Sequence, residues 1–207
     1  MIKILVLGGT QFIGRDLVET LMTDENYSLS LANRGISNPN LFNNLYKLNI
    51  DRNNKETCSK LINDEYDIVV DLSCYTETQF ANTIPYLRYK KYIYISSMSV
   101  LHNLESLSRN SIADESYYHY CVNKIAIEKY VVENIKNCTI IRPPAIYGEN
   151  DNTGRFYQKN GGFYWRINNE IVRSTYNQTI HVKEVTEAIK KYLSLKDNDS
   201  DPLIVHL

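Results

Sequence analysis

The feature that most constrains the fold is a glycine turn placed directly between an apolar run and an amphipathic segment. The run IKILVL (Ile2 to Leu7) is typical of a strand buried on both faces. The segment GRDLVETLM follows it with helical spacing, since its apolar residues fall on one side. A glycine turn here lets backbone N–H groups approach a pyrophosphate, and the helix N-terminus stabilises the negative charge. The turn therefore predicts a dinucleotide-binding loop, Gly8-Gly9-Thr10-Gln11-Phe12-Ile13-Gly14.

Further short apolar runs alternate with helical patterns along the chain. The runs are YSLSLAN, NLYKLNI, DIVVDLS, KYIYISS and CTIIRPP, and the clearest helical pattern is CVNKIAIEKYVVENI, which begins at Cys121. Such alternation predicts parallel strands joined by right-handed crossovers, hence an α/β protein with a doubly wound parallel sheet of the Rossmann type. With 207 residues, the chain is long enough for one core and short for two domains. Beyond Gly148 we expect irregular structure, one helix near VKEVTEAIKKYL and a last strand, LIVHL.

Charge and cysteine spacing exclude several classes of function. The formal net charge of −1 gives no basic excess, so we expect no nucleic-acid partner, and no apolar run is long enough to suggest a membrane span. Cys58, Cys74, Cys121 and Cys138 are scattered without C-x-x-C spacing. This spacing predicts no metal site and favours a reducing, cytoplasmic setting.

One tyrosine, Tyr120, has a lysine four residues later, Lys124. On a helix this spacing puts both side chains on one face. Taken alone, the pair is more simply a solvated surface pair, because such spacings are common on exposed helices.

Several motifs together resemble a known family. GGTQFIG resembles the G-x-x-G-x-x-G loop of extended and atypical short-chain dehydrogenases/reductases, the NAD-dependent epimerase/dehydratase family, with Gln11 in place of the middle glycine. The variant GGTxFIGR, with NRG after the second strand, resembles the chloroplast stem-loop-binding-type branch. YIYISSMSV, YCVNK, IIRPPAIYGE and IHVKEVTEAI match further family segments in the family's order.

The resemblance implies a catalytic role for the tyrosine and lysine. Tyr120 would be the general acid/base on a substrate oxygen, and the ammonium of Lys124 would lower the pKa of Tyr120 from about 10. Lys124 would also bind the nicotinamide ribose. Ser97, placed by the family's S-x-x-V pattern before Val100, would hold the substrate oxygen, with Ser96 and Ser99 as alternatives.

The residues that follow the strands bear on the cofactor. The second strand ends in Asn33 and Arg34, where sites that prefer NAD usually place an acidic residue, so NADP is favoured over NAD. The family pattern implies an adenine contact for Asp51, with Arg52 stacking on or bordering that base. Leu72 and Ser73 would flank the phosphates and ribose, and Pro143 would face the nicotinamide.

From the resemblance we expect a C-terminal part that is reduced relative to the family. We expect residues 1–207 to form a single NAD(P)-binding domain, with residues 149–207 contributing a reduced substrate lobe.

Two hypotheses on function remain open: an active oxidoreductase on a nucleotide-sugar or related small molecule, or a nucleotide-binding regulatory or RNA-associated protein without turnover. The family also implies a homodimer through two long helices. Candidate substrate contacts are Arg155, Trp165, Arg166 and Arg173.

Overall fold

Parallel strands form the central sheet of the computed structural model, which describes residues 1–107, 109, 112–151, 156–159, 162–167, 170–173, 179–193 and 202–207. In chain order the strands are β1 (Ile2–Leu7), β2 (Tyr27–Asn33), β3 (Tyr46–Asn49), β4 (Tyr66–Asp71), β5 (Tyr89–Ile95), β6 (Cys138–Arg142), β7 (Ala145–Tyr147), β8 (Phe156–Lys159), β9 (Gly162–Ile167), β10 (Glu170–Arg173), β11 (Thr179–His181) and β12 (Leu203–His206). The helices are α1 (Phe12–Leu21), α2 (Lys55–Cys58), α3 (Glu77–Thr83), α4 (Ile112–Asn134) and α5 (Val182–Leu193).

The large sheet has the order β12-β6-β5-β4-β1-β2-β3, and every neighbouring pair is parallel. The chain runs outward from β1 through β2 and β3, then returns to the other side of β1 for β4, β5 and β6. This reversal leaves a crevice at the carboxyl ends of the strands, which is where such sheets bind ligands. The predicted doubly wound α/β fold is confirmed.

Alternation along the strands builds a core on each face of the sheet. Ile4 and Val6 of β1 belong to a buried cluster with residues of α1 and α5, among them Leu17 and Ile189. Their neighbours Leu5 and Leu7 belong to a second cluster, to which α3 contributes Phe80 and α4 contributes Ile127 and Val131. The continuous apolar run in the sequence thus reflects burial on both faces.

The region after Gly148 is more regular than expected. β8, β9 and β10 form a three-stranded antiparallel sheet, and β11 pairs with β7 in a separate parallel pair. The predicted last helix and strand are present as α5 and β12, and β12 extends the central sheet beside β6. Helix α4 begins at Ile112, earlier than the helical pattern that starts at Cys121.

Candidate functional site

The turn after β1 requires glycine at two positions. Gly8 has φ +95°, and a Cβ there would lie 2.7 Å from the Cβ of Ser73, which follows β4. A Cβ on Gly14, in the first turn of α1, would lie 2.0 Å from the carbonyl oxygen of Gly8. The absence of these side chains lets the loop, the N-terminus of α1 and the end of β4 come together, which is the form that a pyrophosphate cradle needs.

Gln11, at the position of the family's middle glycine, has an extended backbone with φ −137° and ψ 150°. Any L-residue adopts this conformation, so the backbone does not need glycine here. Gln11 is exposed and caps α1 without a side-chain hydrogen bond. The following Phe12 has φ +42°, an unusual conformation for a bulky residue and one that is found most often at functional sites.

A cleft of about 300 Å³ lies at the carboxyl edge of the sheet, and most of the predicted cofactor residues line it. Those lining it are Gly8, Thr10, Gln11, Phe12, Ile13, Gly14, Asn33, Arg34, Asp51, Arg52, Leu72 and Ser73. Gly9 is buried beneath the loop, where a Cβ would lie 2.8 Å from Leu31 Cδ2. Ser97, Tyr120, Lys124 and Pro143 are not among the described lining residues.

Some residues of the cleft were not singled out by the sequence. Tyr75 and Gln79 extend the wall formed by Leu72 and Ser73, while Ile36 and Ser37 continue the loop after β2. Asp151 reaches the cleft from beyond Gly148. The position of Tyr75, shortly after the end of an apolar run in DLSCY, was a usable signal, because ligands bind outside the carboxyl ends of parallel strands.

The loop after β2 is held against the glycine turn. Asn33 Oδ1 accepts a hydrogen bond from the backbone N–H of Gly35 at 2.9 Å, and the Asn38 side chain donates to the carbonyl oxygen of Thr10 at 2.8 Å. Arg34, between them, is exposed on the rim of the cleft. Asn33 Nδ2 is buried and has no hydrogen-bond partner among the described residues, so a donor is available at this wall.

Arg52 is engaged in a buried ion pair beside the cleft. Its guanidinium donates two parallel hydrogen bonds to the carboxylate of Asp71, at 2.6 and 2.8 Å, and its Nε donates to Thr83 at 3.0 Å. The same carboxylate accepts from the Tyr92 hydroxyl at 2.5 Å and from the Ser73 backbone N–H at 3.1 Å. Arg52 therefore borders the cleft, but stacking on an adenine would require its guanidinium to leave Asp71.

Both members of this pair are held in their charged forms despite their burial. Burial alone would raise the pKa of the Asp71 carboxyl. The charge and hydrogen bonds of Arg52 lower this pKa by more than burial raises it, so the net pKa lies below its ordinary value. Burial likewise opposes the charge of Arg52, and Asp71 raises the pKa of the guanidinium overall. Because Ser73 is fixed by this pair and faces Gly8, the pair supports the shape of the phosphate end of the cleft.

Asp51 lies in the cleft wall two residues after the end of β3. Its Oδ1 accepts from the backbone N–H of Asn53 at 3.0 Å, and its own backbone N–H donates to the Thr57 hydroxyl at 2.8 Å. The turn between β3 and α2 is thereby fixed, with the carboxylate in the wall that follows the β2 loop.

Lys124 is buried where β4, β5 and α4 meet. Its Nζ donates to the carbonyl oxygens of Cys74 at 3.0 Å and Ile95 at 3.0 Å, and to the Tyr94 hydroxyl at 3.1 Å. An ammonium has three N–H donors, so these acceptors use all of them. Burial lowers the pKa of Lys124 to about 8, although the nearby Cys74 and Asp71 favour its charge.

The other predicted catalytic residues are Tyr120 on α4 and Ser97 after β5. Tyr120 is half-buried on α4, with its ring centroid 5.9 Å from Lys124 Nζ. Ser97, two residues after Ile95, is half-buried, and its Oγ accepts from the backbone N–H of Ser99 at 3.1 Å. Ser96 and Ser99, the alternatives to Ser97, are both buried.

Pro143 is buried at the end of β6, where its carbonyl oxygen accepts from the Met98 N–H at 2.9 Å. Arg155 lies outside the described residues. Trp165 and Arg166 lie in β9, and Arg173 lies in β10.

None of the helices in the described ranges is long and apolar enough to cross a membrane, and no His, Cys, Asp or Glu cluster suited to a metal ion occurs in the same ranges.

Comparison with known proteins assigns the fold to a family. The model of the NAD dependent epimerase/dehydratase family matches residues 4–204. No curated protein sequence matches significantly.

Solved structures resemble the chain over almost all of its length. A short-chain dehydrogenase/reductase from Veillonella parvula in complex with NADP has a TM-score of 0.66 at 15% identity, covering 99% of this chain and 94% of its own. The UDP-glucuronic acid 4-epimerase from Bacillus cereus, in complex with NAD, has a TM-score of 0.64 at 15% identity, with 99% and 76% covered. The UDP-glucose 4-epimerase from Thermotoga maritima, with UDP-glucose, has a TM-score of 0.66 at 17% identity and the same coverage, 99% and 76%.

Proposed function

Because the chain belongs to the NAD dependent epimerase/dehydratase family, we propose that it is an oxidoreductase that acts on a carbonyl or hydroxyl group of a sugar nucleotide or a related small molecule. Membership of this family supports an NAD(P)-dependent enzyme. The observation that carries the reaction type is the place of Lys124. Its Nζ donates hydrogen bonds to the carbonyl oxygen of Cys74, in the segment that continues the cleft wall after β4, and to that of Ile95, at the end of β5. The same Nζ lies beside the ring of Tyr120.

The residues of the cleft fit the dinucleotide. Gly8 and Gly14 leave the room that a pyrophosphate needs against the loop, and the buried Nδ2 of Asn33 is a donor that has no partner in the described part of the chain. NAD(P), when bound, supplies and accepts a hydride at its nicotinamide. Asp51 would accept from the adenine amino group, while Leu72 and Ser73 would flank the ribose and phosphates.

The protein's part in the reaction is proton transfer and orientation. In the reducing direction Tyr120 gives its phenolic proton to the carbonyl oxygen as the carbonyl carbon gains a hydride, and in the oxidising direction the phenolate takes that proton back. The ammonium of Lys124 favours the phenolate, and the Ser97 hydroxyl holds the substrate oxygen. Pro143, directly after β6, would face the nicotinamide.

The charge of Lys124 predicts a loss of activity in mild base. Because burial lowers the pKa of Lys124 to about 8, its ammonium is lost as the pH rises through that value. In the oxidising direction, where the phenolate is the base, we expect kcat/KM to fall above a midpoint near pH 8, measured with saturating cofactor. The residual rate of Tyr120→Phe should not show this fall, since the phenol that depends on the ammonium is gone. A wild-type rate that keeps rising up to about pH 10, the range of a free phenol, would contradict the role of Lys124.

The exposed position of Arg34 on the rim of the cleft leads us to expect that the protein prefers NADP over NAD. An exposed guanidinium on the rim can bind a 2′-phosphate through charge-assisted hydrogen bonds, which contribute about 1.5–3 kcal/mol. We expect Arg34→Ala to raise the Kd of NADP at least tenfold and to leave the Kd of NAD within about twofold, measured by calorimetry. Arg15→Ala is the matched control, because Arg15 is paired with Glu19 on α1. Equal weakening of both dinucleotides would overturn the preference.

A second candidate function is dinucleotide binding without turnover, as in a regulatory protein or a relative of the chloroplast stem-loop-binding branch. It is favoured by the three protein acceptors that use all the donors of Lys124, since a ribose contact must replace one of them. Hydride exchange with a panel of nucleotide-sugars and small ketones separates the two functions. If no substrate distinguishes the wild type from Tyr120→Phe while NADP binds tightly, the second function holds and the enzymatic one fails.

We also propose that residues 1–207 act as a single domain in the cytoplasm, with a minimal substrate lobe within residues 149–207. The packing of α5 against the same cluster as α1 supports one domain. The long helix α4 exposes Tyr130 and Val132, which suits a homodimer, and analytical ultracentrifugation would test this assembly.

A further inference from the structure

Tyr75 lies where the cleft ends and the proposed catalytic residues begin. Its side chain is 53% exposed and it lines the cleft. Lys124 Nζ is 5.4 Å from the centroid of the Tyr75 ring and 5.9 Å from that of Tyr120, so both rings lie near the same ammonium. Among the residues described, Tyr75 thus links the nucleotide cleft to the catalytic pair.

The backbone around Tyr75 is fixed from two directions. The preceding carbonyl oxygen, of Cys74, accepts from Lys124 Nζ at 3.0 Å. The backbone N–H of Tyr75 donates to Gln79 Oε1 at 2.9 Å, and the next residue, Thr76, caps α3 by accepting from the N–H of Gln79. The ring therefore projects from a short segment that is attached to α4 on one side and to α3 on the other.

The cleft accounts for only part of a dinucleotide. The glycine turn, the loop after β2 and the turn after β3 line the space expected for the adenosine and the phosphates. The remaining half must run from the glycine turn past Ser73 and Tyr75 before it reaches Tyr120. An aromatic face on this path suits a flat ring or a ribose, and it attracts the positive charge of an oxidised pyridine ring.

We propose that the ring of Tyr75 packs against the nicotinamide half of the bound dinucleotide and positions it over Tyr120. This inference rests on the proposed function for its cofactor, but not on turnover. Tyr75 is a positioning residue here, because the proton transfer belongs to Tyr120.

Binding measurements with whole and half cofactors test the proposal. We expect Tyr75→Ala to raise the Kd of NADP roughly tenfold, as for loss of one stacked aromatic contact, and to leave the Kd of 2′,5′-ADP unchanged, because that ligand lacks the nicotinamide. Tyr75→Phe keeps the ring and should bind both ligands as the wild type does. Tyr46→Ala is the matched control, since Tyr46 is 54% exposed on β3 and is not a described lining residue of the cleft.

The outcomes separate this proposal from the proposed function. Equal weakening of NADP and 2′,5′-ADP by Tyr75→Ala would show a structural role and overturn the proposal, as would no weakening of either. A wild type that binds NADP in this pattern but exchanges no hydride with any substrate would overturn the enzymatic function and leave the role of Tyr75 standing. A wild type that binds neither NADP nor NAD would overturn both.

Discussion

Replacement of Tyr120 by phenylalanine is expected to lower kcat about 10²- to 10⁴-fold while the Kd of the dinucleotide stays within about twofold. The phenol oxygen is the group that would move the proton, and Phe keeps the ring that lies beside Lys124 and stacks with Tyr117. The fold should therefore be retained. Steady-state kinetics on the best substrate of a nucleotide-sugar panel, together with calorimetric binding of NADP, measure the two quantities.

Tyr118→Phe provides the matched control on the same helix. Tyr118 is half-buried, like Tyr120, but it has no lysine four residues later. We expect its kcat to stay near that of the wild type. If Tyr120→Phe and Tyr118→Phe had equal activity, Tyr120 would not be the acid/base. If Tyr120→Phe lost NADP binding as well as rate, its role would be in cofactor binding instead.

The largest effect on stability is expected from Asp71→Asn. This change removes the charge that neutralises Arg52 while the side chain keeps its size, so a guanidinium that is almost fully buried loses its counter-ion. Removing one partner of a buried ion pair costs about 3–5 kcal/mol of the free energy of unfolding. Urea denaturation, with the m-value compared between variants, measures the loss.

Asp67→Asn is the matched control, because Asp67 lies on the same strand and pairs with Lys90 near the surface. An exposed pair contributes at most about 1 kcal/mol. Equal losses in the two variants would contradict the buried-pair account.

The pH dependence of the same pair has a defined sign. The pKa of Asp71 in the folded state is below its ordinary value of about 3.9, so the folded protein binds fewer protons than the unfolded chain near that pH. The stabilisation is present above the unfolded pKa and is lost as the pH falls through the folded pKa. The difference in unfolding free energy between wild type and Asp71→Asn should therefore shrink on acidification and stay constant between about pH 6 and 7.

The central sheet was predictable because its signals are local. The strands from β1 to β6 coincide with the runs predicted from the sequence, and their alternation with helices defines the class of fold. The glycine turn was equally clear, since its conformation and its packing against Ser73 depend on missing side chains at fixed sequence positions. Helix α5 and strand β12 coincide with short patterns of the correct period.

The environment of the predicted residues was not predictable, since it depends on long-range contacts. Lys124 receives its acceptors from Cys74 and Tyr94, far earlier in the chain, and no spacing rule relates them. The sequence placed Arg52 beside the adenine but gave no sign of its ion pair with Asp71. That pair depends on how β3 and β4 are placed in the sheet. The sheet formed by β8, β9 and β10 was missed, although the sequence Asn160-Gly161 between β8 and β9 is a strong hairpin signal.

The most direct test of the account is a crystal structure of the protein with bound NADP. The account predicts the adenosine in the cleft between Arg34 and Asp51, the pyrophosphate on the turn from Gly8 to Gly14, and the nicotinamide between Tyr75 and Tyr120. It also predicts that Lys124 exchanges one of its protein acceptors for a ribose hydroxyl. A nicotinamide directed away from Tyr120, with Lys124 still bonded to Cys74, Tyr94 and Ile95, would contradict the claim that cleft and catalytic residues form one active site.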